Sequence, residues 1–361
     1  MHIALQKQQI HAQGGLEKYT LRLASAFCSM GSRVTMLCNE CNVQLPCDVV
    51  EFGKEKGLKF RRLRTFNKQC SDWVNNNQPS ALFGMDRPSE WQTHYRAGNG
   101  VHASYLNLRE GSYFKKLSFK WNPLHRTILD MEKKAYTHAG LRVIFANSHM
   151  VKNELIHYYG TDEEKIHVVH NGVEWKEFED CYLSWKPKER FQFLFIGHEY
   201  RRKGLDRLLY ALALLKEDFH LQVVGKDRNE KYYQQLVRKL GLTHQVTFYG
   251  AQKKTLPFYQ QADCVVIPSL YDPFANVTVE ALAMGNFVVT SSGNGGKEVI
   301  AEETGRVVED CQNPEALAAA LQEAFNRPKT KSSATTIRQT VKHLDFDRML
   351  DRIVNITMGT I

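Results

Sequence analysis

No apolar run in this chain approaches the roughly 20 residues that a membrane-spanning helix needs. The first residues, Met1 to Lys7, lack the charged-then-apolar order of a secretory leader, so a cytoplasmic location is expected. Eight cysteines in 361 residues are too few and too scattered for a disulfide scaffold. Cys38 and Cys41 form one CxxC with Cys47 nearby, but no second pair and no adjacent histidine completes a zinc set. The dinucleotide signature GxGxxG is absent, so a nicotinamide cofactor is not indicated. Neither a nucleic-acid-binding motif, nor a solenoid-scale repeat, nor a low-complexity tract is present.

What remains is ordinary soluble-protein composition, 43% hydrophobic and 24% charged, in a length that suits two domains. The net charge is +9, and part of the excess is local. Lys54, Lys56, Lys59, Arg61, Arg62 and Arg64 lie close together, and Lys115, Lys116 and Lys120 alternate with Phe114, Leu117, Phe119 and Trp121. Such a surface attracts anionic headgroups or acidic glycans, although a solvated basic face would read the same way.

Short apolar runs alternate with helical patterns along the whole chain. Ile3 to Leu5, Arg33 to Cys38, Ala81 to Gly84, Arg142 to Ala146 and Lys165 to Val169 read as strands in the first half. Phe191 to Ile196, Leu221 to Gly225, Val246 to Gly250, Cys264 to Pro268 and Phe287 to Thr290 repeat the pattern in the second. The spacing predicts helices over residues 66–77, 123–138 and 314–325, and from Ser148 to about Tyr159. This is the pattern of two parallel-sheet α/β domains. The polar stretch from Glu174 to Lys188 is the expected boundary.

The chemistry concentrates after strands. Gly14 and Gly15 follow the first strand and open a helix, which lets backbone approach a ligand. Asn99 and His102 lie in a glycine-rich loop. Arg201, Arg202 and Lys203 follow the strand ending at Ile196, and Gly295, Gly296 and Glu298 follow the one ending at Thr290. The stretch from Asp272 to Gly285 holds Asp272 in a loop, Asn276 as the expected N-cap, and Glu280 four residues on, with Val277, Ala281 and Met284 on one face. In a parallel sheet these strand ends share one edge. Two cations and a helix start suit a diphosphate, and the acids can accept hydrogen bonds from sugar or ribose hydroxyls. An amphipathic helix with two solvated acids is the plain alternative.

Asp272 and Glu280 together resemble the Glu-x7-Glu signature of retaining, two-domain (GT-B) glycosyltransferases of family 4, with Asp in place of the first Glu. The stretches from Phe195 to Asp206, Val223 to Asp227 and His170 to Val173 are similar to the same proteins. Gly84 to Pro88, followed by Tyr95 to His102, looks like the lipopolysaccharide core glucosyltransferase I branch, in which the Asn99 position is commonly Asp. The resemblance implies a Rossmann-like acceptor domain over 1–173, a Rossmann-like nucleotide-sugar domain over 174–340, a cleft between them, and a terminal helix, 341–361, returning to the first domain. It implies that Gly14 and Gly15 let the donor diphosphate and the acceptor approach, and that Arg202 and Lys203 neutralise the diphosphate. Asp272 would hold sugar hydroxyls, beside the backbone N–H groups of Phe274, Ala275 and Asn276, and Glu280 the ribose. Replacing Asp272 is then expected to leave binding of the free nucleoside diphosphate nearly intact. Asn99 and His102 would face the transferred sugar or the acceptor.

The activity so implied is metal-independent transfer of a hexose, glucose by the branch, from a UDP-sugar to a lipopolysaccharide core or similar anionic glycan. No cofactor is expected beyond the donor, and the protein would touch the inner face of the cytoplasmic membrane peripherally. The lone Asp345-x-Asp347 reads as solvated helix, not as a metal site. A sugar-nucleotide epimerase, a phosphorylase, or a non-catalytic sugar-nucleotide or glycan binder are the competing readings.

Overall fold

The structure is a computed structural model, which describes residues 1–11, 15–108, 119, 121–179, 181–182, 185–186 and 188–361. Gly14, Lys115, Lys116 and Lys120 lie outside the described residues. The chain forms two compact units: Met1–His170 with Met349–Ile361, and Asn171–Arg348. The division therefore falls at Asn171 and Arg348, not at 174 and 341. Backbone pairing explains the shift. The Val173 N–H donates to the Leu344 carbonyl and the Phe346 N–H to the Val173 carbonyl, so these segments travel together.

In the first unit seven strands form one sheet: β1 (His2–Gln6), β3 (Arg33–Cys38), β5 (Asp48–Glu51), β6 (Ala81–Gly84), β7 (His94–Arg96), β8 (Val143–Ala146) and β9 (Ile166–Val168). Their order is β5-β3-β1-β6-β7-β8-β9, and every pairing is parallel. Two-residue strands β2 (Gln9–Ile10) and β4 (Glu40–Cys41) pair separately. Strands covered on both faces must be apolar throughout, and Ile3, Ala4 and Leu5 are fully buried in consecutive positions. The helix Pro123–Thr137 starts where Asn122 accepts from the Leu124 N–H, and it buries Ile128, Met131 and Ala135 on one face. The helix His149–Tyr159 is capped by Ser148, whose hydroxyl accepts from the Val151 N–H at 3.2 Å.

One expectation changes here. The helix expected from Phe66 begins at Lys59 and runs to Asn77, so Lys59, Arg61, Arg62 and Arg64 stand on it. Leu63, Phe66 and Cys70 bury its other face, and a polar-rich amphipathic face hid the period.

In the second unit the strands are β10 (Phe191–Ile196), β11 (Phe219–Val224), β12 (Val246–Gly250), β13 (Cys264–Ile267), β14 (Phe287–Ser291) and β15 (Gly305–Val308). They pair in parallel in the order β12-β11-β10-β13-β14-β15. Counted along this unit the order is third, second, first, fourth, fifth, sixth, the doubly wound arrangement. The chain leaves β10 in one direction for β11 and returns on the other side for β13. A ligand crevice belongs at that reversal, outside the carboxyl ends of β10 and β13. The first sheet reverses in the same way between β1 and β6.

The terminal helix Phe346–Gly359 starts where Asp345 Oδ1 accepts from the N–H groups of Asp347 and Arg348. Asp345 is thus a helix cap. Residues from Met349 onward belong to the first unit, where Thr360 Oγ1 meets His94 Nε2 at 2.9 Å and the Thr360 carbonyl accepts from Arg142. Among the described residues no helix is long and apolar enough to cross a membrane.

Candidate functional site

The reversal point of the second sheet carries a cluster of charged side chains. After β10 the chain turns into the short helix Tyr200–Lys203, and Gly204 follows at φ +81°. A Cβ at Gly204 would lie 2.0 Å from the Pro268 carbonyl oxygen, so only glycine lets the two loops meet. The Leu270 N–H donates to the Arg202 carbonyl at 2.8 Å and fastens them. This contact sets the Lys203 ammonium in an ion pair with Asp272 Oδ2. Arg202 reaches the same oxygen at 3.6 Å, donates to the Tyr271 carbonyl at 3.1 Å, and pairs with Glu199 at 2.7 Å. The side chains of Lys203 and Asp272 are 14% and 10% exposed, so the pair is screened weakly by solvent.

A second clamp holds the loop that follows β13. The Asp272 N–H donates to the Gly293 carbonyl at 2.9 Å, and the Gly295 N–H donates to the Asp272 carbonyl at 2.8 Å. Between them Asn294 is fully buried. Its Oδ1 accepts from the N–H groups of Ala275 and Gly296, both at 3.0 Å. Its Nδ2 donates to Thr278 and Thr290 at 3.0 and 2.9 Å. Sequence reasoning passed over Asn294. Its only signal was an amide inside a glycine-rich loop.

Two details of the signature helix differ from expectation. The helix runs Asn276–Ala283 with Ala275 at the cap position, so Asn276 is its first residue and not its N-cap. Asn276 Oδ1 accepts instead from Asn171 Nδ2 at 2.7 Å. The Ala275 N–H, expected to face the donor, is taken by Asn294. Glu280 lies one turn in, where its Oε2 accepts from the Tyr259 hydroxyl at 2.5 Å. Tyr259 is fully buried, and burial together with the neighbouring carboxylate holds its hydroxyl well above the ordinary phenol range. Ala281 and Met284 are buried as expected, and Val277 packs partly buried against the same cluster.

The first unit holds the other expected residues. Gly15 is the first residue of the helix Gly15–Ser29, which follows β1 at that sheet's reversal. Asn99 is exposed, and its amide donates to the Asp86 carbonyl at 2.9 Å. His102 opens the helix His102–Leu108, and its ring Nε2 lies 3.0 Å from His125 Nδ1. Burial, then His125 and Arg87, pull its pKa down to about 4. Beneath it Glu132 is 2% exposed and accepts from the His102 N–H at 2.9 Å and the Tyr159 hydroxyl at 2.6 Å. Burial pushes Glu132 up to about 7, against the pull of those two donors.

The CxxC cysteines are free thiols, and burial pushes Cys38 up to about 12, which makes it a poor nucleophile and redox group. Among the described residues no cluster of histidine, cysteine and carboxylate is placed to hold a metal.

Two doubly wound parallel sheets, one with two cations and a carboxylate at its reversal, are the architecture of GT-B glycosyltransferases. The description "Glycosyltransferase Family 4" matches residues 13–176, and "Glycosyl transferases group 1" matches residues 184–341. An uncharacterized glycosyltransferase of Methanocaldococcus jannaschii is 31% identical over 334 residues, 84% of this chain and 83% of its own. The chain belongs to glycosyltransferase family 4. Its fold is similar to that of WaaG, a glycosyltransferase involved in lipopolysaccharide biosynthesis, with a TM-score of 0.80, 20% identity and coverage of 98% and 99% of the two chains. It is also similar to HepE of Anabaena, solved in complex with UDP-glucose, with a TM-score of 0.70, 16% identity and coverage of 99% and 100%.

Proposed function

We propose that the protein moves a hexose, glucose in the first instance, from a UDP-sugar to a lipopolysaccharide core or similar anionic glycan, with retention of anomeric configuration. The observation that carries the reading is the cluster of Lys203, Arg202 and Asp272 at the reversal of the second sheet. Lys203 and Arg202 hold the diphosphate as negative charge grows on the departing oxygen. The bond from the anomeric carbon to that oxygen breaks, and the bond to the acceptor hydroxyl forms on the same face. The acceptor's proton passes to the departing phosphate. Asp272 holds sugar hydroxyls and Glu280 holds the ribose; Gly15 belongs to the diphosphate contacts, and Asn99 and His102 to the contacts with the transferred sugar or acceptor. Asn276 and the backbone of Phe274 and Ala275 frame the same helix start.

The cations come from the protein, so transfer proceeds without a divalent metal. The similarity in fold to a protein solved in complex with UDP-glucose and to a glycosyltransferase involved in lipopolysaccharide biosynthesis supports this choice of donor and acceptor class. The basic helix from Lys59 gives the protein salt-sensitive affinity for anionic membrane at the cytoplasmic face.

A transfer assay tests the reading. Purified protein with radiolabelled UDP-glucose, truncated lipopolysaccharide core and excess chelator should yield a labelled glycolipid. Donor epimerisation without an acceptor, or activity that appears only with added magnesium or manganese, would refute it.

A further inference from the structure

We infer that Tyr259 is a positioning residue for ribose recognition, fixing the Glu280 carboxylate through its buried hydroxyl. The inference rests on the reading that Glu280 holds the ribose. Tyr259 sits on the short helix Leu256–Gln261 that leads into β13, and it is anchored at both ends. Its ring is fully buried in the cluster that also holds Val265, Ala281 and Leu282. Its carbonyl accepts from Asn286 Nδ2 at 2.8 Å and from Lys329 Nζ at 3.4 Å. Asn286 is itself fully buried and donates a second bond to the Ala262 carbonyl at 2.6 Å. The hydroxyl is therefore a rigid donor aimed at Glu280 Oε2 at 2.5 Å.

A glutamate on a helix surface samples many rotamers, and binding a sugar diol would freeze them. Here one oxygen is already held by the hydroxyl of a fully buried ring. Burial keeps Tyr259 protonated at neutral pH, so its hydroxyl is the donor and the Glu280 carboxyl oxygen the acceptor. Oriented acceptors discriminate strongly for hydroxyls, because an analogue lacking them forfeits the bonds that the acceptor is placed to receive.

The test uses the full chain and calorimetry. Whichever of UDP, ADP and GDP binds the native protein tightest is compared with its 2′,3′-dideoxy counterpart, in the native protein and in three variants. The ratio of the two affinities reports ribose reading and does not respond to a general loss of stability. Glu280→Ala should bring the ratio close to one. Tyr259→Phe should lower it about tenfold, the scale of one lost charge-assisted bond. The double variant should add nothing to Glu280→Ala. A ratio unchanged in Tyr259→Phe but abolished in Glu280→Ala overturns the positioning role and leaves the ribose reading standing. A ratio unchanged in Glu280→Ala overturns both. In transfer, Tyr259→Phe should raise the donor KM and leave kcat nearly unchanged.

Discussion

Asp272→Asn should tighten the protein's grip on free nucleoside diphosphate while impairing sugar transfer. The carboxylate contacts the Lys203 ammonium directly and lies 3.6 Å from the Arg202 guanidinium. At an effective dielectric of about 20, a unit pair at that longer distance attracts by about 5 kcal/mol before desolvation is counted. Arg202 is 29% exposed at its side chain, and burial of Asp272 and Lys203 offsets much of the gross attraction. A net of about 1–2 kcal/mol is reasonable for this partly buried cluster. A diphosphate competes with Asp272 for the same two cations. Removing the competing charge should therefore strengthen diphosphate binding about 5- to 30-fold.

The variant should also lose about 1–3 kcal/mol of stability, because Lys203 is left without its counter-ion until ligand arrives. Titration calorimetry at low and high salt measures the affinity, and the gain should shrink as salt screens the cations. The sequence alone predicts nearly unchanged affinity, since the free diphosphate has no sugar for Asp272 to hold. An affinity within twofold of the native value, or a weaker one, would refute the competition argument.

Lys203→Ala should lower kcat by about 10²–10³ with a smaller change in donor KM, since its contact strengthens as the leaving group acquires charge; steady-state kinetics decides this. Gly204→Ala should lower the melting temperature by several degrees, because its positive φ and a Cβ 2.0 Å from the Pro268 carbonyl leave no room. Glu132 and His102 should make opposite contributions to stability across acid pH. Glu132 titrates near 7 in the fold and near 4.5 when unfolded, so its contribution falls as pH rises from about 4.5 to 7. His102 titrates near 4 in the fold and near 6.5 when unfolded, so its contribution is lost as pH falls from about 6.5 to 4. Glu132→Gln should remove the first term and steepen the loss of stability on acidification, by up to about 3 kcal/mol between pH 7.5 and 4.5; parallel denaturant profiles would contradict this.

The parts of this architecture that follow local rules were legible in the sequence. Apolar runs such as Ile3 to Leu5 and Cys264 to Ile267 are strands because both sheet faces are covered, and each lies where its pattern placed it. Ser148 and Pro123 mark their helix starts by capping chemistry that acts within three residues. The boundaries that moved depend on distant partners. Asn171 and Val173 join the second unit because Val173 pairs with the segment around Asp345. The helix from Lys59 is recognisable only once its few buried residues are known.

The same division separates the signature residues from what holds them. Asp272 and Glu280 stand at a spacing that can be read from one loop and one helix. Their partners cannot: Lys203 is 69 residues from Asp272, Tyr259 is 21 from Glu280, and Asn294 is 19 from Ala275. The Lys203 and Asn294 pairs form only after the parallel strands have brought neighbouring carboxyl ends to one edge, and the Tyr259 pair only after the helices Leu256–Gln261 and Asn276–Ala283 have packed into one cluster.

The shorter acid at position 272 then has a structural explanation. An aspartate reaches one methylene less far than the family's glutamate. The Gly293 carbonyl, the Gly295 N–H and the Asn294 amide strap the 272–275 backbone onto the loop after β14. The Leu270 to Arg202 bond draws that same loop against the helix of Lys203. With its backbone pinned from two sides, the short side chain is delivered onto the cations by the loops, not by its own length. That approach is permitted by Gly204 and by Gly293, where a Cβ would lie 2.4 Å from the Leu270 carbonyl. On this argument the Asp272 position and the two glycines act as one unit. Asp272→Glu alone would push a longer carboxylate past Lys203, and it should weaken the ion pair instead of restoring the family's geometry.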